Sequence, residues 1–142
     1  MSNYRNVLVA LDVCDDNHAI IERALSLSGD AAKLRLLHIV EPIYYPENYM
    51  GGLSVDFQEK SIEFAEQELH AAAAKYSIPE ARCEVKIGKP SSGVHNFARE
   101  HDCDLVVVGS HGKHGLQLLL GSTATAILHG ANCDVLAVRI ND

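Results

Sequence analysis

At 142 residues, 47% hydrophobic and 22% charged, the chain has the size and composition of one folded domain spanning residues 1–142. A formal net charge of -7, with 12 scattered basic residues, argues against a broad nucleic-acid face, which needs clustered Lys and Arg. No apolar run approaches the roughly 20 residues that span a bilayer, and Met1-Ser2-Asn3-Tyr4-Arg5 lacks the regions of a signal peptide. The expectation is a cytoplasmic protein with neither nucleic acid nor membrane as partner.

Asn6 to Asp12 (NVLVALD) reads as a short strand with apolar residues on both faces. Asp15 or Asp16 is suited to cap the helix that follows, whose buried stripe is Ile20, Ile21, Ala24 and Leu25. Gly29-Asp30 ends it. Leu34 to Val40 is a second strand, and His38 inside it reads as a satisfied core or edge histidine rather than a catalytic base. Glu41 to Gly52 carries Pro42, Pro46, three tyrosines and Gly51-Gly52, and reads as the least regular part of the chain. Ser54 opens a long helix to Tyr76, with Ile62, Ala65, Leu69, Ala72, Ala73 and Tyr76 on one side and Glu59, Glu63, Glu66 and Gln67 solvated.

Ala81 to Gly88 alternates as a peripheral third strand. Pro90, with Ser91 and Ser92, starts a helix through His101 with Val94, Phe97 and Ala98 facing inward. Asp104 to Val108 is the fourth strand, Ser122 to His129 the fourth helix, and Asp134 to Ile140 the fifth strand. Strands alternating with helices imply a five-stranded parallel α/β sheet with helices on both faces, doubly wound and Rossmann-like. The usual order 3-2-1-4-5 puts a topological switch between the first and fourth strands, and ligands bind at the carboxyl edge there.

Both strand ends at that switch carry candidate groups. Asp12 ends the first strand, where a carboxylate can accept hydrogen bonds from a ribose or a base; a turn or helix-capping aspartate is the bland reading. The fourth strand runs into Gly109-Ser110-His111-Gly112, with Gly115 and then Gly121-Ser122-Thr123 at a helix start. Glycines let backbone N–H groups approach an anion, and a helix start favours phosphate. The competing reading is a structural turn needing positive φ.

Several chemistries are not written in the chain. Gly112-Lys113 lacks the rest of a P-loop, and no G-x-G-x-x-G follows the first strand. Ser122 is not in a G-x-S-x-G elbow, and no nucleophile–base pair is visible. His111 and His114, with His101, Cys103 or His129, do not complete a metal site. Cys14, Cys83, Cys103 and Cys133 form no C-x-x-C pair and read as free thiols packed as small hydrophobes.

VLVALD, LLHIVEP, DLVVVGSHGKHG and LLLGSTATAILHGANCDVLAVRI together resemble the universal stress proteins, from Tyr4 to Asn141, and most closely the short single-domain UspA type. The resemblance implies a cytoplasmic homodimer raised under stress. It implies pairing of the last strands, here Val135, Leu136, Ala137, Val138, Arg139 and Ile140, which suits an exposed edge. In the ATP-binding branch, adenine and ribose lie against the positions matched by Ala10, Asp12, Ile39, Val108 and Gly109. The phosphates lie against Gly112, Gly121, Ser122 and Thr123.

That branch carries G-x2-G-x9-G-S/T, whereas eight residues separate Gly112 from Gly121 here. One residue is worth up to about 3.5 Å of reach. The expectations are therefore ATP, with magnesium, on a loop eased by Gly115, or only AMP or ADP. Two functions follow: a nucleotide-responsive stress regulator with at most very slow ATP hydrolysis, or a dimeric interaction protein that binds no nucleotide. In either case a protein partner is expected and unnamed.

Overall fold

The structure, a computed structural model, describes residues 4–13, 17–42, 51–111 and 122–140, and their side chains other than those of residues 51–56 and His111. Among them, strands β1 (Val7–Ala10), β2 (Leu34–Val40), β3 (Cys83–Ile87), β4 (Leu105–His111) and β5 (Asp134–Ile140) alternate with helices. The helices are α1 (His18–Ser28), α2 (Gly51–Lys75), α3 (Pro90–Glu100) and α4 (Ser122–Gly130). All strands are parallel in one sheet of order β3-β2-β1-β4-β5, the arrangement expected from the alternation.

Register explains why the central strands are apolar on both faces. Val7 lies beside Leu34 and Leu105, and Val9 beside Leu36 and Val107. These residues face α1 and α2, packing with Ile20, Ile21 and Leu69. The alternate residues Leu8, Leu37, Val106 and Val108 face α3 and α4, packing with Val94, Phe97 and Ile127. A parallel sheet covered on both sides needs such strands.

Several boundaries differ from the sequence reading: β1 is Val7–Ala10 rather than Asn6 to Asp12, and β3 is Cys83–Ile87, after a 3-10 turn over Glu80–Arg82, rather than Ala81 to Gly88. β4 continues through Gly109 to His111 because β5 runs beside it, pairing Gly109 with Val138 and His111 with Ile140. α2 begins at Gly51 rather than Ser54, so Gly51-Gly52 form its first turn. Helix propensity is a weak prior, and a 25-residue helix that packs on β2 and β3 carries its own start. The N-cap position of α1 is Asn17, whose side chain makes no capping bond; Asp15 and Asp16 lie outside the described residues. At its other end α1 stops on Gly29, at φ 76°, with the Gly29 N–H donating to the Leu25 carbonyl.

The amino edge of the sheet is closed by hydrogen bonds. The Asp104 carboxylate accepts from the backbone N–H of Arg5 (2.8 Å) and Asn6 (3.0 Å), while its own N–H donates to the Asn6 carbonyl. Tyr4 donates to the Asp134 carboxylate at 2.8 Å, a bond that raises the tyrosine pKa. Arg82 donates to the Leu34 carbonyl and to Asn6 Oδ1, and burial lowers its pKa. The described cysteines Cys83, Cys103 and Cys133 are free, as expected, and burial raises all three.

Burial pushes the Cys103 thiol from 9.0 up to about 11, against a partly opposing pull from Arg35. The unfolded chain therefore releases this proton first. Stability from the neutral thiol is fully present below about pH 9 and is lost as pH rises towards 11. Urea melts from pH 8 to 11 are expected to show wild type losing on the order of 2 kcal/mol more than Cys103→Ala over that window. Parallel pH profiles would contradict it.

Candidate functional site

At the carboxyl edge of the sheet a cavity of about 310 Å³ opens across the ends of β1, β2 and β4. Ala10, Leu37, Ile39 and Val108 supply an apolar wall from the three strands, extended by Val94 of α3 and Ile127 of α4. Asp12, Asn17, His38, Ser122 and Thr123 bring polar groups to the same space. An apolar hollow with a few convergent polar groups, at a topological switch point, is what small-ligand sites look like.

The exit of β1 is held on both sides of one residue. Leu11 N–H donates to the Leu37 carbonyl at 2.8 Å, and the Leu11 carbonyl lies 2.8 Å from His38 Nδ1. A carbonyl only accepts, so Nδ1 carries the proton. Both backbone groups before Asp12 are thus tied to β2, and Asp12 itself is exposed. Across the cavity, Ser122 and Thr123 are exposed in the first turn of α4. The N–H groups of a first helical turn have no partner within the helix and sit at the positive end of its dipole.

Gly109 has a different role from the turn glycine considered above. It lies within β4, and the positive-φ glycines among the described residues are Gly29 and Gly88. A Cβ built on Gly109 would stand 2.5 Å from Ile140 Cδ1 and 2.8 Å from Ile20 Cδ1. The missing side chain lets these two buried isoleucines meet over β4, where both also line the cavity.

On the opposite face, Gly93 of α3 packs against Ile39, to which a Cβ would come within 2.8 Å. His95 Nε2 then donates to the Ile127 carbonyl at 2.7 Å, binding α3 to α4.

Ala10, Asp12, Ile39, Val108, Gly109, Ser122 and Thr123, named from the sequence, all line this one cavity. Gly112 and Gly121, the other expected phosphate positions, lie outside the described residues, as does His114. His38, Asn17 and Pro90 line the cavity and were not singled out for it. The available signal for His38 was its place beside Ile39 at the end of the same strand.

β5 is an outer strand, as the expected pairing of Val135 to Ile140 requires, though Ile140 also turns inward to the cavity. Among the described residues no three His, Cys, Asp or Glu side chains are placed to hold a metal, and no helix is long and apolar enough to cross a membrane.

The groups whose protonation the fold clearly shifts, Tyr4, Arg82, Cys83, Cys103 and Cys133, belong to the amino edge of the sheet and not to this cavity.

Comparison with known proteins agrees with this architecture. The model of the universal stress protein family matches residues 3–139. Universal stress protein A homolog 2 of Coxiella burnetii is 41% identical over 143 residues, covering 99% of this chain and 98% of that protein. The solved structure of universal stress protein UspA from Lactobacillus plantarum superposes with a TM-score of 0.79 at 22% identity, covering 98% of this chain and 100% of that one. A universal stress protein solved in complex with cAMP superposes with a TM-score of 0.53 at 23% identity, covering 96% and 98%. At such identities the solved structures speak for the fold alone. Family model, close relative and fold agree along nearly the whole chain: it belongs to the universal stress protein family.

Proposed function

We propose that the protein is a cytoplasmic, nucleotide-responsive stress regulator that binds an adenine nucleotide, foremost ATP with magnesium, in the carboxyl-edge cavity. One observation carries this reading: a single hollow of about 310 Å³ joins an apolar wall fit for a base, the Asp12 carboxylate fit for a ribose, and the start of α4 fit for phosphate. The cAMP complex of a relative supports it, since the same fold there holds an adenine nucleotide. Binding rather than turnover is the proposed activity, and any hydrolysis is slow.

A homodimer through β5 belongs to the same proposal. The sheet has two outer strands, and β3 carries the Lys86–Glu84 ion pair (3.2 Å), the kind of charge that discourages pairing. β5 offers the uncharged run Val135 to Val138 instead.

The eight-residue interval between Gly112 and Gly121 favours a second reading, a dimeric interaction protein without nucleotide. Calorimetric titration of nucleotide-stripped protein with ATP, ADP and AMP, with and without magnesium, separates the two. Micromolar ATP binding is expected, lost in Gly112→Asp while sedimentation still reports a dimer. No heat from any nucleotide would leave the interaction protein as the function.

A further inference from the structure

We propose that Arg35 and Arg82 form a second anion site, at the amino edge of the sheet, for a phosphate-type dianion, free or carried as a phosphomonoester. Leu36 of β2 lies beside Cys83 of β3, so the residues just before them, Arg35 and Arg82, are neighbours. On its other side Arg35 lies beside Leu8, on the face that α3 covers. Like charges directly opposite each other across strands are destabilising. Two half-buried guanidinium groups so placed call for a counter-charge.

The carboxylates nearest in the chain are committed elsewhere. Glu84 pairs with Lys86 at 3.2 Å and Glu80 with His70 at 3.3 Å. Asp104 accepts from the backbone N–H of Arg5 and Asn6. Neither arginine has an ion pair among the described residues, and the buried Arg35 Nε has no hydrogen-bond partner among them.

Arg82 is fixed in place. Its Nε donates to the Leu34 carbonyl at 2.7 Å and its Nη2 to Asn6 Oδ1 at 3.1 Å, while Asn6 Nδ2 donates to the His101 carbonyl. Nη1 remains for a ligand. Burial and then Arg35 lower the Arg82 pKa, with no carboxylate acting on it. Both guanidinium groups also act on the Cys103 thiol, against the larger effect of its burial, so all three groups face one space.

Guanidinium donors match oxyanions. A carboxylate brings one charge to two cations, whereas a phosphate dianion brings two and has oxygens for both. The site is separate from the cavity: Ile39, which lines the cavity, is four residues along β2 from Arg35, about 13 Å.

Thermal melts of wild type, Arg35→Met, Arg35→Lys and Gly112→Asp are compared in chloride and in 20 mM inorganic phosphate at matched ionic strength. With a dissociation constant of about 1 mM, phosphate is expected to raise the wild-type Tm by about 4 °C. Arg35→Met keeps an apolar stem without the charge. It is expected to melt at or above wild type in chloride and to gain less than about 1 °C from phosphate. Arg35→Lys, which has the charge but no fork, is expected to need about tenfold more phosphate for the wild-type shift. Gly112→Asp is expected to keep the full shift, and Arg35→Met to keep the wild-type response to ATP. Glycerol phosphate at equal concentration assigns the source: a matching shift means a phosphomonoester, its absence free phosphate. No shift in wild type would overturn the site. So would an equal shift in wild type and Arg35→Met, which is the general stabilising effect of phosphate. A shift lost in Gly112→Asp but kept in Arg35→Met would place the anion at α4 instead, overturning this site and leaving the nucleotide reading standing.

Discussion

Gly109→Val is expected to destabilise the protein by about 3 kcal/mol, read as a lower urea midpoint at an unchanged slope. The reason is space. Ile20 and Ile140, only 2% and 7% exposed, already occupy the volume a side chain would need, and even a Cβ would come within 2.8 and 2.5 Å of their respective terminal carbons. Isoleucine ends can shift, so Gly109→Ala is expected to cost less, about 1–2 kcal/mol.

A rescue distinguishes packing from backbone strain. Ile140→Val deletes the Cδ1 atom nearest the new Cβ, so the Gly109→Ala/Ile140→Val double variant is expected to be more stable than the sum of the single changes predicts. Were Gly109 needed for a left-handed turn, trimming a neighbour would return nothing. Strict additivity, or a Gly109→Val protein as stable as wild type, would remove this account.

Gly109 also shows where reading a chain stops. A glycine after Leu105 to Val108 has the look of a strand end, yet the strand continues because β5 supplies a partner for each residue up to His111. Pairing between segments far apart in sequence is invisible to local pattern. β2 and β5, by contrast, were legible residue for residue, since each is a largely apolar run beginning at a change of composition.

The cavity was legible to the same extent as the strands that build it. Once the order 3-2-1-4-5 is granted, Asp12 and Gly109 must come together at the carboxyl edge, while Ala10, Ile39 and Val108 were named from the family resemblance. His38 was not, because its ring is held by the Leu11 carbonyl, 27 residues away at the exit of β1. Alternation tells which face a residue takes, but not what the neighbouring strand presents to it. Asn17 was hidden differently: its residue type suits a helix cap, yet its side chain makes no capping bond and its buried Oδ1 has no hydrogen-bond partner among the described residues.

The frame on the other side of the cavity rests on His95. Its ring donates from Nε2 to the Ile127 carbonyl at 2.7 Å and so cannot swing freely. A Cβ on Gly130 would lie 2.7 Å from Nδ1 and closer still to Cε1. In an ordinary helix end, glycine to alanine is neutral or favourable by up to about 1 kcal/mol. Here Gly130→Ala is expected to cost about 2 kcal/mol, because either the ring or the α4 chain must move and the hydrogen bond is lost.

In a His95→Ala background the obstacle is gone, and the same change is expected to be neutral or to stabilise by a few tenths of a kcal/mol. His95→Ala alone is expected to cost about 1–2 kcal/mol, from the carbonyl it leaves unpaired. Chemical denaturation of the four proteins in this cycle measures the coupling, which is expected near 2 kcal/mol. Equal effects of Gly130→Ala in both backgrounds would show that the two helices do not depend on this contact. A dependence would extend to the ligand site, since Val94 adjoins His95 on α3, Ile127 supplies the bonded carbonyl on α4, and both line the cavity.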